Sequence, residues 1–151
     1  MKMIDAGYLK NNIGSHIASS PWFLVEQSLI NGFADVTGDK QWIHLDTVRA
    51  EKESPYKATI AHGYLLVSLI PQFAQQSYNI EGVTTKINYG LNKVRFLQAV
   101  KPGQKIQANF FIEKFQEIEN GDFKLEVRVE IETAPNKQLV CVANTVVLCI
   151  S

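Results

Sequence analysis

Between Gly63 and Ile80 the chain carries no Asp, Glu, Lys or Arg. Within that stretch Leu65, Leu66, Val67, Leu69, Ile70 and Phe73 leave almost no polar face over the first turns. The spacing predicts a helix over Gly63–Ser77 that is buried on most sides, because an apolar helix surface in water must find cover. Pro71 falls inside the pattern. It removes one backbone N–H and is expected to kink or split the helix. Nowhere does an uninterrupted apolar run reach the ~20 residues needed to span a bilayer. A buried helix of this kind needs a wrapping, and the rest of the chain must supply it.

From Val83 onward the apolar period changes from helical to two. Thr85–Tyr89 and Lys93–Leu97 read as strands broken at Gly90, and Lys105 to about Phe115 as another after the turn Lys101-Pro102-Gly103-Gln104. Asn120-Gly121 is the strongest hairpin signal. Leu125, Val127, Val129 and Ile131 then alternate with Glu126, Arg128, Glu130 and Glu132, which gives a strand with one wet face. The turn Ala134–Lys137 leads into a last strand, Gln138 to Ile150, that is apolar on nearly both faces and so needs cover on both.

Ahead of the buried helix, Pro21–Val25 reads as a short strand. A helix follows from about Glu26 to Thr37, closed by Gly38. Asp46 can cap a second, solvated helix over Thr47–Lys52, ended by Ser54-Pro55-Tyr56. Helices first and antiparallel strands second make an α+β layer architecture. The economical way to bury Gly63–Ser77 is a curved antiparallel sheet wrapped around the long helix, the hot-dog arrangement. At 151 residues, without repeats or linkers, residues 1–151 are expected to form a single domain.

Charge excludes some partners. Fifteen basic and fifteen acidic residues cancel, and no Lys/Arg block stands out, so neither nucleic acid nor a membrane surface is expected as a partner. The first twenty residues lack the greasy core of a secretion signal, and the expectation is a soluble, cytoplasmic protein. Cys141 and Cys149 lie in one apolar run; on a single strand they stand roughly 26 Å apart on the same face. That suits two reduced structural thiols, and there is no Cys-x-x-Cys spacing for metal or redox work.

The candidate chemistry is compact. Asp39 precedes His44 by five residues, and Gly63 opens the buried helix directly after His62. A carboxylate and an imidazole, with the free N–H groups of a helix start, are enough for proton transfer beside a carbonyl. Each residue also has a plainer reading. Asp39 after Thr37-Gly38 can be a turn residue bonding its own backbone. His44 and His62 can be packing residues, and Gly63 a steric necessity where helix meets sheet. Trp42 and Tyr64 can be core packing, and Lys93 and Arg95 a solvated strand face.

Three blocks carry a resemblance. Phe33-Ala-Asp-Val-Thr-Gly-Asp39-Lys-Gln-Trp-Ile-His44, Ile60-Ala-His-Gly63-Tyr-Leu-Leu-Val-Ser68-Leu-Ile-Pro71 and Ile87-Asn-Tyr-Gly-Leu-Asn-Lys-Val-Arg-Phe96 together resemble the MaoC-like dehydratases, the group containing (R)-specific enoyl-CoA hydratases; the third block is similar to its NodN-like branch. The resemblance implies a homodimeric hot-dog fold with its site near the subunit interface. It also implies water addition to, or removal from, enoyl and 3-hydroxyacyl thioesters of coenzyme A or acyl carrier protein, the chemistry of fatty acid metabolism. Asp39 and His44 match the family's catalytic pair, and Gly63 the residue whose N–H polarises the thioester carbonyl. Trp42, His62, Tyr64, Lys93 and Arg95 become candidates for substrate contact. No metal or redox cofactor is implied. The chain departs from many family hydratases at Gln41-Trp42, where they carry Asn-Pro, and at Pro71, where some carry Ser. The alternatives are a hot-dog thioesterase, which would place an acidic residue on the central helix, and a non-catalytic acyl-thioester-binding protein.

Overall fold

The computed structural model describes every residue, Met1–Ser151. The chain opens with β1 (Lys2–Ile4), α1 (Ala6–Asn11), β2 (His16–Ser19) and β3 (Phe23–Leu24). Four helices follow: α2 (Gln27–Thr37), α3 (Trp42–Leu45), α4 (Thr47–Glu53) and α5 (Gly63–Ser77). The strands β4 (Tyr78–Ile80), β5 (Thr85–Phe96), β6 (Lys105–Glu117), β7 (Phe123–Thr133) and β8 (Gln138–Ile150) complete it. β1 and β4 pair in parallel as a separate ribbon. The main sheet has six strands in the order β2-β6-β7-β8-β5, with β3 also on β6, and all its pairings are antiparallel.

This is the hot-dog arrangement. α5 lays Leu65, Leu66, Leu69, Ile70 and Phe73 into a core shared with the inward-facing residues of the sheet. β6 contributes Ile106, Ala108, Phe110 and Ile112, and β7 contributes Leu125, Val127, Val129 and Ile131 in the alternation its sequence announces. Each fully buried side chain of this size contributes about 1.5–3 kcal/mol relative to exposure. The N-cap residue His62 makes no side-chain cap bond. Packing therefore holds α5, not its cap.

Several expectations are corrected. Of the kink or split expected at Pro71, the split does not occur: α5 is a single helix through it. The polar face is nevertheless wider than the sequence suggests, since Tyr64, Ser68, Gln72 and Gln75 recur at three- and four-residue intervals and leave an exposed stripe on a helix otherwise buried on most sides. Gly90 does not end a strand; β5 continues through it, with register shifts against β8 between Asn88 and Gly90 and again between Leu91 and Lys93. Such irregularities let one strand take up extra residues and bend. The strand expected over Pro21–Val25 shrinks to the two residues of β3.

Elsewhere the local signals hold. Gly38 closes α2 in the left-handed conformation, φ 79°, with its N–H on the Ala34 carbonyl at 2.8 Å. Asp46 caps α4 by accepting from the Arg49 N–H at 2.9 Å. Asn120 (φ 61°) and Gly121 (φ 85°) turn β6 into β7. No helix is long and apolar enough to cross a membrane.

Cys141 and Cys149 are both buried and free on β8. Burial pushes each thiol up to about 11, Lys86 partly opposing this at Cys149. An unfolded thiol ionises near 9.0, so above that pH the unfolded chain sheds protons that the folded chain keeps, and stability falls as pH rises towards about 11. Chemical denaturation at pH 8, 9 and 10 should show this decline, and a Cys141→Ala/Cys149→Ala variant should show a flatter one.

Candidate active site

The left-handed turn at Gly38 throws the chain off the end of α2, and Asp39 is the next residue out, on the surface. Its carboxylate accepts no hydrogen bond from its own backbone and forms no ion pair; the nearest turn contact runs from the Asp39 N–H to the Thr37 hydroxyl at 3.4 Å. The turn leads into α3, whose four residues carry His44 into a buried position, 8 % exposed.

His44 is fixed from two sides. Its Nδ1 lies 2.7 Å from the Ile60 carbonyl oxygen, which can only accept. Nδ1 therefore carries the proton, and in the neutral ring Nε2 is left with a bare lone pair. Its own carbonyl accepts from Gln27 Nε2 at 2.7 Å. The Gln27 amide is set in turn by Asn31 Oδ1, 2.9 Å, and by the Thr59 hydroxyl donating to Oε1 at 2.5 Å.

His62 completes the cluster. Its ring stacks on His44 with centroids 3.8 Å apart and planes 24° from parallel. Its Nε2 sits 2.9 Å from the Asp39 main-chain oxygen, and its Nδ1 is buried without a partner. One ligating atom from each of Asp39, His44 and His62 lies within 4.8 Å of the others. These are transition-metal ligand types, yet both imidazoles belong to one stacked pair, which does not by itself turn their lone pairs towards a single point. A metal needs them to converge on one point at ~2.0–2.2 Å. The cluster suits a shared water better, with a carboxylate and an imidazole nitrogen able to accept or return its protons.

Directly after His62, α5 begins. The N–H groups of Gly63 and Tyr64 donate to nothing within the chain, and the first inward bonds come from Leu65 and Leu66 to the His62 carbonyl. The Phe96 ring covers Gly63 so closely that a Cβ there would lie 2.8 Å from it. Phe96 meets the start of α5, while Lys86, at the other end of β5, reaches the Tyr78 ring beyond its end. β5 thus runs antiparallel to α5. Between them, from one turn past Gly63, lies a cleft of about 540 Å³ walled by residues such as Val67, Pro71, Ala74, Leu91 and Val147, a size typical of small-molecule sites.

The remaining candidates are placed elsewhere. Trp42, two residues before His44 and on the far side of α3, is half-buried beneath the Arg49 guanidinium, 4.2 Å from its ring centre. Tyr64 is 74 % exposed, edge-on to Phe96. Lys93 and Arg95 are exposed and alternate with Phe96, so they face the other side of the sheet and do not join the Asp39–His44 cluster within this chain. Sequence reasoning missed Gln27 and Thr59. Neither stands out by type, and their separation of 32 positions along the chain hides the contact.

Comparison with known proteins adds a family. Residues 9–134 match the MaoC like domain. The chain is 38% identical over 134 residues to the 3-hydroxyacyl-thioester dehydratase Z of Mycobacterium tuberculosis, covering 89% of this chain and 88% of that one. It is 36% identical over 122 residues to nodulation protein N of Rhizobium leguminosarum, covering 77% and 73%. In three dimensions it resembles an R-hydratase from Pseudomonas aeruginosa with a TM-score of 0.72 over 91% of this chain and 81% of that one; at 20% identity this likeness speaks for the fold.

Replacing Gln27 by Ala strips the His44 carbonyl and the Thr59 hydroxyl of their partners at once. It should lower unfolding free energy by about 1–3 kcal/mol, measured by urea denaturation, because the orphaned groups are partly buried.

Proposed function

This chain belongs to the MaoC like domain family, and from that membership we propose that it is a hydratase/dehydratase acting on an enoyl or 3-hydroxyacyl thioester. The observation that carries this reading is the Asp39 carboxylate, free of any partner in the chain, beside an imidazole whose Nδ1–H is committed to Ile60 and whose Nε2 is therefore a base. The 38% identical relative bearing the name 3-hydroxyacyl-thioester dehydratase Z supports the substrate class.

In the proposed reaction one water is held between Asp39 and His44. As its oxygen bonds C3 of the 2-enoyl thioester, one of its protons passes to the pair, and the pair returns a proton to C2. Each turnover thus ends in the protonation state in which it began. Negative charge gathers meanwhile on the thioester oxygen. The unused N–H of Gly63 at the start of α5 is suited to receive it without adding a charged side chain. The cleft along α5 is the proposed seat of the acyl chain. No metal or redox group is required by this scheme. A thioesterase reading finds no carboxylate anywhere on α5.

The working unit is proposed to be a homodimer of single-domain subunits. β5 is a twelve-residue edge strand, and it and its surroundings expose Tyr89, Leu91, Phe96, Leu97 and Tyr64. A long apolar edge of this kind invites pairing with a second copy. Two free, buried thiols suit a reducing compartment, and the cytoplasm is the proposed location.

Turnover of a panel of 2-enoyl and 3-hydroxyacyl thioesters, on coenzyme A and on carrier protein, tests the activity. Asp39→Asn and His44→Gln should each reduce kcat by ~10²–10⁴ while leaving the melting temperature near wild type. Full activity in either variant would remove that residue from the mechanism. Light scattering should give a particle of twice 17.0 kDa, and Leu91→Asp should shift it towards the monomer.

A further inference from the structure

His62 stands beside the proposed acid/base pair without being needed by it. Its partner at Nε2, the Asp39 main-chain oxygen, is an acceptor, so Nε2 carries the proton. The neutral ring then leaves Nδ1 as a bare acceptor, buried and unpaired. For packing alone this is a poor choice. A phenyl ring of similar shape would stack on His44 at 3.8 Å and touch Phe33 at 5.0 Å equally well, with no orphaned atom. What the imidazole adds is one N–H aimed at the backbone of Asp39.

That bond lies where the chain is otherwise weakly held. Beyond the Gly38 N–H that closes α2 on the Ala34 carbonyl at 2.8 Å, the backbone at Asp39 and Lys40 has the Lys40 N–H to Gly38 carbonyl contact at 3.0 Å and the long contact from the Asp39 N–H to the Thr37 hydroxyl at 3.4 Å, both within the turn itself. The Asp39 side chain has no anchor of its own and is exposed. His62, by contrast, is 2 % exposed and sits at the start of the best-buried helix. We infer that His62 is a positioning residue: its Nε2–H ties the Asp39 backbone to the rigid end of α5 while its ring sets the plane of His44, so that one side chain fixes the distance between carboxylate and base. It takes no proton from the substrate.

This inference rests on the hydratase/dehydratase reading for its kinetic effect and on geometry alone for its structural effect, and the two can be separated. His62→Phe keeps the stack and loses the N–H; His62→Gln keeps an N–H at nearly the same reach and loses the ring. His62→Phe should fold with a melting temperature close to wild type and lose about 10²-fold in kcat at little-changed KM, the scale expected when a reacting group drifts by an ångström. His62→Gln should recover kcat to within about tenfold of wild type. Backbone NMR relaxation over Gly38–Gln41 should report greater motion in His62→Phe and wild-type order in His62→Gln. With only three histidines in the chain, nitrogen shifts should identify the Nε2–H tautomer at His62 and the Nδ1–H tautomer at His44. A wild type inert towards every thioester would defeat the functional reading and leave the relaxation comparison to decide this one. Unchanged loop order in His62→Phe, a Gln variant as loose as the Phe variant, or a loss expressed in KM alone would overturn it.

Discussion

The fold is governed by the need to keep one uncharged helix dry. α5 offers Leu65, Leu66, Leu69, Ile70 and Phe73 on one side, and only a continuous curved surface can meet all of them. The antiparallel ladder β6-β7-β8 supplies it, because alternation places every second residue on the same face. Once α5 is seated, its first residue has a fixed address, and so does whatever packs on it. The site is therefore a by-product of burial: Gly63 and His62 lie where the helix begins, and the α2–α3 segment has to come to them.

Buried and half-buried polar side chains secure that meeting. Gln27 joins the start of α2 to the His44 carbonyl and to Thr59, while Ile60 takes the His44 Nδ1 proton. The His44 tautomer thus follows from a main-chain contact rather than from a neighbouring charge. No salt bridge enters the cluster; the Lys40 ammonium nearby pairs with Asp35, both largely exposed. Exposed pairs of that sort contribute little. The site is organised by hydrogen bonds to neutral groups, which leaves the Asp39 charge uncommitted.

One side of the molecule stays unfinished. The exposed stripe of α5, the bare edge of β5 and the cleft between them adjoin one another, with Tyr64 and Phe96 at the Gly63 end. The same surface that would seat an acyl chain is thus the surface that would meet a second subunit. Lys93 and Arg95, turned to the other face of β5, are then free of the site of their own chain.

Periodicity, read from the residues, determined the extent of α5 and the alternation of β7, and residue type at single positions determined the caps at Gly38 and Asp46 and the hairpin at Asn120-Gly121. Each is a local matter, decided within a few residues by backbone conformation or by one face meeting oil or water. The β1–β4 ribbon, the four-residue helix under His44 and the continuity of β5 through Gly90 were not legible, because short elements owe their existence to distant partners rather than to their own propensity. That Asp39 and His44 lie together was implied by the family resemblance, whereas their spacing alone left the plainer turn and packing readings open. The stacking of His62 on His44, its bond to the Asp39 backbone and the bracing by Gln27 and Thr59 were not legible, since they join residues far apart in the chain. Only the packed tertiary structure brings such groups within hydrogen-bonding reach.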